Sequence, residues 1–334
     1  MPTTTQTTGL NGVAGSINTG SGAASTIPLA FYEKALLKML QTQTEFTHNQ
    51  LAKKTDIPKG NGTTVNFRRI VKLTPKLDAN GMPVPLVEGV TPDGLNASVT
   101  AITASTLPYG DYVLFSDMVD WAQPDPIVAA YLKETVRIVN EKLDIVCRET
   151  LNAGTNVFYE NKKTSTATLA AGDIPTLDSF RKVVLSMKKN FVRPAKAGDY
   201  VAMISPAVAF DLLDDPKFQK ILQYGNDNKP LLNGEIGRAY GVRFVEVINA
   251  KTKDGKGTGG VNVHCSIVVG EEAYGDVKVA GNGNVKPIMK PLGSAGANDP
   301  LDQRQSVGAK CSAYTSVILN QYAVARVESV PTNA

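Results

Sequence analysis

Residues 311–327 alternate between two kinds of side chain, and this alternation constrains the fold more than any other feature. Most odd positions are apolar or small, with Gln321 as the main exception: Cys311, Ala313, Val317, Leu319, Ala323, Ala325 and Val327. Successive side chains of a β-strand point to opposite faces of its sheet, so a period of two predicts a strand with one buried face. The pattern therefore predicts a long C-terminal strand.

Composition allows a globular core and excludes several classes of protein. The chain has 334 residues, of which 42% are hydrophobic, and this fits one elaborated domain or two coupled ones. The net charge is only +4, with 35 basic and 31 acidic residues spread along the chain. A dedicated nucleic-acid-binding protein has a concentrated basic face, and the sequence shows none.

Cysteine usage and hydropathy indicate a soluble protein made inside the cell. The cysteines Cys147, Cys265 and Cys311 are far apart and lack paired spacing, so we expect reduced thiols rather than disulfides or a zinc site. No apolar run approaches the roughly 20 residues that a membrane helix needs. The N-terminus also lacks the pattern of a signal peptide.

Residues 1–27 cannot form a core of their own. They consist mainly of Thr, Gly, Ser, Asn and Ala, and the first charged residue of the chain is Glu33. Such a segment does not offset its ordering entropy by burial. Two interpretations stay open: a floppy tail, or an arm held by a neighbouring subunit.

An amphipathic helix is predicted from Pro28, and a strand is predicted at residues 63–71.

Residues 72–98 predict an extended hairpin. Four prolines exclude a helix and a central strand, and Asn80-Gly81 predicts a tight two-residue turn. The apolar residues are too few for an independent core and too many to stay bare, so the hairpin is either a mobile loop or lies on another molecule. The predicted inter-subunit contacts are Asn80, Gly81, Met82, Val84, Leu86 and Glu88. Glu88 is expected to pair with a basic residue across the interface.

The longest helix is predicted after Asp125-Pro126, because apolar residues recur there at steps of three and four. Asp144 and Arg148 are expected to form an ion pair on its outer face, and Gly154 to end it in a left-handed conformation. A second helix is predicted at about 177–190, and residues 199–204 predict a buried strand. With strands returning from distant sequence, the fold class is α+β.

The sequence offers no catalytic, metal or cofactor site. His48 lacks a ligand partner at helical spacing, and alternation places His264 and Cys265 on opposite faces of one strand. The glycine cluster at 255–260 lacks Ser or Thr directly after Lys256, so it predicts a hairpin loop rather than a phosphate loop.

Four motifs, in order along the chain, resemble the pattern of the major capsid proteins of tailed phages that have the Johnson (Hong Kong 97-type) fold. They are LVEGVTP at 86–92, YGDYV at 109–113 followed by SD at 116–117, GEIG at 234–237 with GV at 241–242, and DPLDQRQSVGAK at 299–310. The resemblance covers roughly residues 65–328. Ala309 departs from it, since a bulky aromatic residue is expected there.

The resemblance implies a division of the chain into named parts. These are an N-terminal arm (1–27), a helix and first strand (28–71), an extended loop (72–98), a peripheral domain (99–194) with a spine helix (126–153), an axial domain (195–298), and a strand that returns to the peripheral domain (299–334).

The resemblance also implies a function without enzymatic activity or cofactors. The chain would assemble as pentamers and hexamers into an icosahedral shell around double-stranded DNA, contacted without sequence preference, with a separate scaffolding protein and a portal as partners. It would reside in the virion, and in the host cytoplasm during assembly, with no membrane partner. The alternatives are an encapsulin-like nanocompartment shell and, with less support, an α+β hydrolase using paired carboxylates.

Overall fold

The computed structural model describes residues 46, 51–58, 60–71, 73–122, 127–195, 198–224, 235–280, 284–294 and 299–333. The predicted arm, the helix from Pro28, His48, the Asp125-Pro126 helix start and Gly234 lie outside these residues. None of the described helices is both long and apolar enough to cross a membrane.

The described residues include fourteen strands and five α-helices. The strands are β1 Lys53–Ile57, β2 Thr64–Ile70, β3 Val99–Ser105, β4 Leu107–Ser116, β5 Val157–Tyr159, β6 Tyr200–Ile204, β7 Glu235–Ala239, β8 Val242–Glu246, β9 Thr252–Lys253, β10 Val263–Val269, β11 Tyr274–Val279, β12 Lys286–Lys290, β13 Arg304–Ile318 and β14 Val324–Ser329. The helices are α1 Asp117–Ala122, α2 Ile127–Asn152, α3 Leu177–Lys189, α4 Pro206–Asp214 and α5 Pro216–Tyr224.

Strand β13 organises the first sheet, which has the order β1-β11-β13-β12 with β4 also paired to β13. Its first half lies between β12 and β4, and its second half pairs with β11. The long helix α2 covers one face, where Val139 and Leu143 pack with Cys311 and Tyr314. This burial explains the alternation that the sequence shows in the first part of the C-terminal run.

The prediction of a single long C-terminal strand is wrong. Strand β13 ends at Ile318, a 3-10 turn follows at Gln321–Ala323, and β14 then joins the other sheet. The Asn320 side chain accepts a hydrogen bond from the Tyr322 amide (3.2 Å), which fixes the turn. Apolar or small residues occupy odd positions on both sides of the break, so the sequence pattern runs through it, and Gln321, its exception, marks the turn.

The second sheet has the order β5-β14-β10-β6-β8-β7, with β9 also paired to β10. Every residue of β6 is buried, as predicted for residues 199–204, and the Ser205 hydroxyl accepts a hydrogen bond from the Val208 amide (3.4 Å) at the start of α4. Phe180 and Phe218 meet Phe244 edge to face at centroid distances of 5.1 and 5.5 Å. This aromatic group anchors α3 and α5 on the sheet.

Two details predicted for the long helix are wrong. Asp144 is fully buried instead of lying on the outer face, and Arg148 donates instead to the backbone carbonyl (3.2 Å) and the Oδ1 atom (2.7 Å) of Asn249. Gly154 has no positive φ; a Cβ there would come within 3.2 Å of the Leu151 carbonyl oxygen. Close packing at this position, rather than a left-handed conformation, therefore favours glycine.

The Asp276 carboxyl is buried within the first sheet. Its Oδ1 atom accepts a hydrogen bond from the Tyr314 hydroxyl (3.2 Å), and burial raises its pKa above the usual range of an aspartate. The folded state therefore binds a proton at Asp276 more readily than the unfolded state does. Hence the contribution of this group to stability increases as the pH falls through the raised pKa toward the unfolded value.

The substitution Asp276→Asn tests this linkage. We expect the free energy of unfolding of the wild type, relative to that of the variant, to rise as the pH is lowered from neutral toward the usual aspartate pKa of about 3.9. Groups shared by the two proteins cancel in this difference, which denaturant titrations at a series of pH values provide. A difference that stays constant or falls with decreasing pH would contradict the raised pKa.

Candidate interaction surface

Strands β2 and β3 form an antiparallel ribbon that pairs with neither large sheet. At the base of the ribbon, Val65 and Phe67 pack against a buried cluster that contains Ile57, Ala104 and Val277. At its outer end Ile70 is 73% exposed, and the Val71 amide donates to the Ser98 carbonyl (3.0 Å). The ribbon is therefore fixed at one end and carries residues 73–98 beyond the core.

The tip of this hairpin is a three-residue turn, not the two-residue turn predicted from Asn80-Gly81. The Gly81 amide donates to the Asp78 carbonyl (3.0 Å), and the Asp78 amide donates to the Met82 carbonyl (2.8 Å). The Asp78 Oδ1 atom also accepts hydrogen bonds from the Asn80 (2.9 Å) and Met82 (2.8 Å) amides. Only Gly81, at φ 77°, needs a positive φ, because the aspartate holds the rest of the turn.

The two arms of the hairpin are linked by few contacts. Leu77 and Pro83 form an isolated bridge next to the turn. The Lys76 Nζ atom donates to the Asp93 backbone carbonyl (2.7 Å) and lies 4.0 Å from the Asp93 carboxylate. Both side chains are well exposed, so solvent screens this ion pair and it adds little to stability. The hairpin is thus held in shape by its turn, the Leu77–Pro83 bridge and the hydrogen bond from Lys76 to Asp93, without a hydrophobic core.

Every residue from 73 to 98 is exposed. The segment includes eight large apolar side chains: Leu73, Leu77, Met82, Val84, Leu86, Val87, Val90 and Leu95. Leu86 is the barest of them, at 79% exposed. Full burial of one such side chain is worth about 1.5–3 kcal/mol, and contiguous bare apolar surface of this kind is typical of an interaction site.

The six residues predicted as inter-subunit contacts all lie on this hairpin and are all exposed: Asn80, Gly81, Met82, Val84, Leu86 and Glu88. The structure thus brings them together on one element, next to the further apolar residues Val87 and Val90. Their contact with another subunit stays a prediction, as does the pairing of Glu88 with a basic residue of that subunit.

Sequence reasoning missed a second exposed apolar surface, on the face of the first sheet that α2 does not cover. Tyr112 and Ile288 lie on either side of Gly308 in register and are 69% and 44% exposed. A Cβ at Gly308 would lie 2.8 Å from the Asp111 carbonyl oxygen, so the close approach of the strands requires glycine there. A shallow groove results, with Lys290 and Lys310 also lining it.

The candidate chemical groups take structural roles. The His264 Nδ1 atom lies 2.8 Å from the Ser205 hydroxyl, which also caps α4, and burial lowers the pKa of the histidine. Residues 255–260 connect the antiparallel pair β9 and β10, which confirms the hairpin loop. The three cysteines are buried and form no disulfide. Within the described residues, no three His, Cys, Asp or Glu side chains are grouped to hold a metal ion.

The comparisons with known proteins show the fold. No family model and no curated protein matches the sequence. Among solved structures, the capsid of Ralstonia phage GP4 is 12% identical with a TM-score of 0.69, covering 94% of this chain and 98% of its own. The capsid of cyanophage Pam1 is 15% identical with a TM-score of 0.68, and the match covers 95% of this chain and 100% of the Pam1 chain.

An encapsulin, SrpI from Synechococcus elongatus, also matches, at 11% identity and a TM-score of 0.57 over 92% of this chain and 94% of its own. The chain therefore has the α+β, Hong Kong 97-type fold over most of its length, as the sequence resemblance implied.

Proposed function

We propose that this chain is the major capsid protein of a tailed bacteriophage. It assembles with copies of itself, as pentamers and hexamers, into the icosahedral shell of the virion around double-stranded DNA. Its role is structural rather than catalytic. The observation that carries the proposal is the hairpin at 73–98, which exposes eight large apolar side chains and packs them on nothing in its own subunit among the described residues.

A second copy of this chain is the partner that best fits the hairpin. The hairpin is extended, so its apolar residues can spread over another protein's surface instead of closing around a small ligand. The same subunit offers an exposed apolar groove beside Gly308. A scaffolding protein, a portal and packaged DNA complete the proposed set of partners.

An encapsulin-like nanocompartment is the second candidate, because an encapsulin shares the fold. Phage capsids match with TM-scores from 0.61 to 0.69 against 0.57 for the encapsulin, and this difference favours the phage shell. The contents of the particle separate the two functions: a packaged double-stranded genome in one case, and an enclosed protein cargo in the other.

Negative-stain electron microscopy of the purified protein, with light scattering, tests the proposal. We expect capsomers or closed shells that become more abundant with protein concentration. A strict monomer of 35.6 kDa over a wide range of concentration and salt, with the scaffolding protein supplied, would contradict it.

A further inference from the structure

Helix α3 carries a local excess of positive charge, although the basic and acidic residues of the whole chain nearly balance. Its thirteen residues include four basic residues, Arg181, Lys182, Lys188 and Lys189, and one acidic residue, Asp178. By contrast, the twenty-six residues of α2 carry four bases and four acids. The net charge of the whole chain is +4, so α3 alone accounts for most of it.

The four basic residues lie on one exposed face of α3. All four side chains are exposed, and Leu185 lies between them at 54% exposed. Positions 181, 182, 185, 188 and 189 follow the helical repeat, and the first and last pairs of bases lie about 10 Å apart along the axis. We name this surface, with the neighbouring Lys217 and Lys220 of α5, the basic face; both of those lysines are exposed too.

Acidic residues of the described chain offset only part of the charge of this face. The Lys217 Nζ atom donates to the Asp178 carboxylate at 2.6 Å, so the one acid of α3 is already paired. Among the described residues, no carboxylate forms an ion pair with Lys182, Lys188 or Lys189. The Arg181 guanidinium lies 5.5 Å from the centre of the Tyr240 ring, which holds it at the surface and keeps its charge.

Helix stability explains only part of this arrangement. Lys188 and Lys189 are in the last turn, where a cation interacts favourably with the helix dipole. Arg181 and Lys182 lie in the N-terminal half, where the dipole gives a cation no advantage. Asp178 attracts Arg181 and Lys182 along the helix, but the same carboxylate is already hydrogen-bonded to Lys217. One negative charge thus serves three positive ones, and the surplus is available to a ligand. A row of cations that outnumber their acidic neighbours fits a polyanion with closely spaced charges, and duplex DNA has one charge per roughly 1.7 Å of its axis.

We propose that the basic face is the surface through which this protein contacts the phosphate backbone of double-stranded DNA. The inference rests on the proposed function and deepens it, because it names the surface that contacts the genome and therefore faces the interior of the shell. Exposed lysines and an arginine recognise charge and not base edges, so the contact has no sequence preference and weakens steeply with salt.

The test compares three full-length proteins: the wild type, the variant Lys182→Gln/Lys188→Gln/Lys189→Gln, and the control Lys133→Gln/Lys163→Gln/Lys256→Gln, whose lysines are exposed and lie outside both candidate interaction surfaces. Both variants lose three exposed positive charges, and Gln retains a high helix propensity. The affinity for a short duplex of arbitrary sequence is measured at several salt concentrations. Removing three phosphate contacts should make the slope of log affinity against log salt less negative by about 2.7. We expect this in the α3 variant and not in the control.

Equal slopes for the wild type and the α3 variant, or an equal change in the control, would overturn the inference. So would tighter binding of polyglutamate than of the duplex at the same salt, because the face would then suit an acidic protein. Thermal midpoints of all three proteins check folding; if the triple variant does not fold, the single variant Lys182→Gln should change the slope by about 0.9.

Electron microscopy separates this inference from the proposed function. Shells in the wild type with unchanged DNA binding in the α3 variant would refute the basic face alone. Absence of shells in the wild type, with DNA binding lost in the α3 variant, would refute the capsid function and leave the basic face in place.

Discussion

A variant in which a short Gly-Ser link replaces residues 73–98 is expected to fold as a subunit and to form no shells. The removed segment is exposed throughout and joins the core only through the β2–β3 ribbon. Its loss therefore removes no buried contact of the described subunit. Assembly instead loses up to eight apolar side chains, each worth about 1.5–3 kcal/mol when buried on a partner.

Electron microscopy and the thermal midpoint of the isolated subunit measure the two halves of this expectation. A sharper variant, Leu86→Ser/Val87→Ser, removes the two barest neighbouring side chains, which are 79% and 66% exposed. Its control on the same hairpin, Thr91→Ser/Asn96→Ser, changes exposed polar residues and should assemble normally. Normal shells from the Gly-Ser variant, or a collapse of its thermal midpoint, would show that the hairpin serves its own subunit.

The substitution Glu328→Gln is expected to lower the free energy of unfolding by about 3 kcal/mol, because it removes one partner of a buried ion pair. Glu328 is fully buried on β14, where its carboxylate lies 2.5 Å from the Lys253 Nζ atom and 2.7 Å from the Arg326 Nε atom. It also accepts a hydrogen bond from the Thr166 hydroxyl (2.6 Å). The two cations, which are mostly buried, would lose their counter-charge.

Glu272→Gln is the matched control for this substitution. Glu272 pairs with Lys53 at 2.8 Å, but both side chains are about half exposed or more, so the expected loss is below about 1 kcal/mol. Denaturant titrations of the two variants give the comparison. Losses of the same size would mean that burial does not set the strength of the Glu328 ion pairs.

The sequence predicts the elements of this fold better than their connections. The apolar repeat of α2 and the buried strand at 199–204 are both found where predicted. The division of the C-terminal run into β13 and β14 could not be predicted from alternation, since apolar or small residues continue at the odd positions of β14, although this strand is buried on both faces in the other sheet. The burial of Asp144 was also missed, because helical spacing gives neighbours on a helix but not which face meets the core.

The candidate surfaces show the same limit. The prolines and Asn80-Gly81 predict a hairpin, but the three-residue turn depends on the Asp78 side chain, whose hydrogen bonds are not visible in a residue pattern. Net charge hides the basic face, because a total of +4 does not show that four bases and only one acid fall within the thirteen residues of α3. The groove beside Gly308 joins three strands from distant sequence, so only the sheet register reveals it.

The central claim is that the apolar residues of the hairpin are covered by a neighbouring copy of the chain. Electron cryo-microscopy of assembled particles measures this directly, through the exposed fraction of Leu86, which is 79% in the isolated subunit. We predict that Leu86 becomes buried against a second subunit in the particle. Particles in which Leu86 stays bare, or in which the hairpin packs entirely on its own subunit, would contradict the claim.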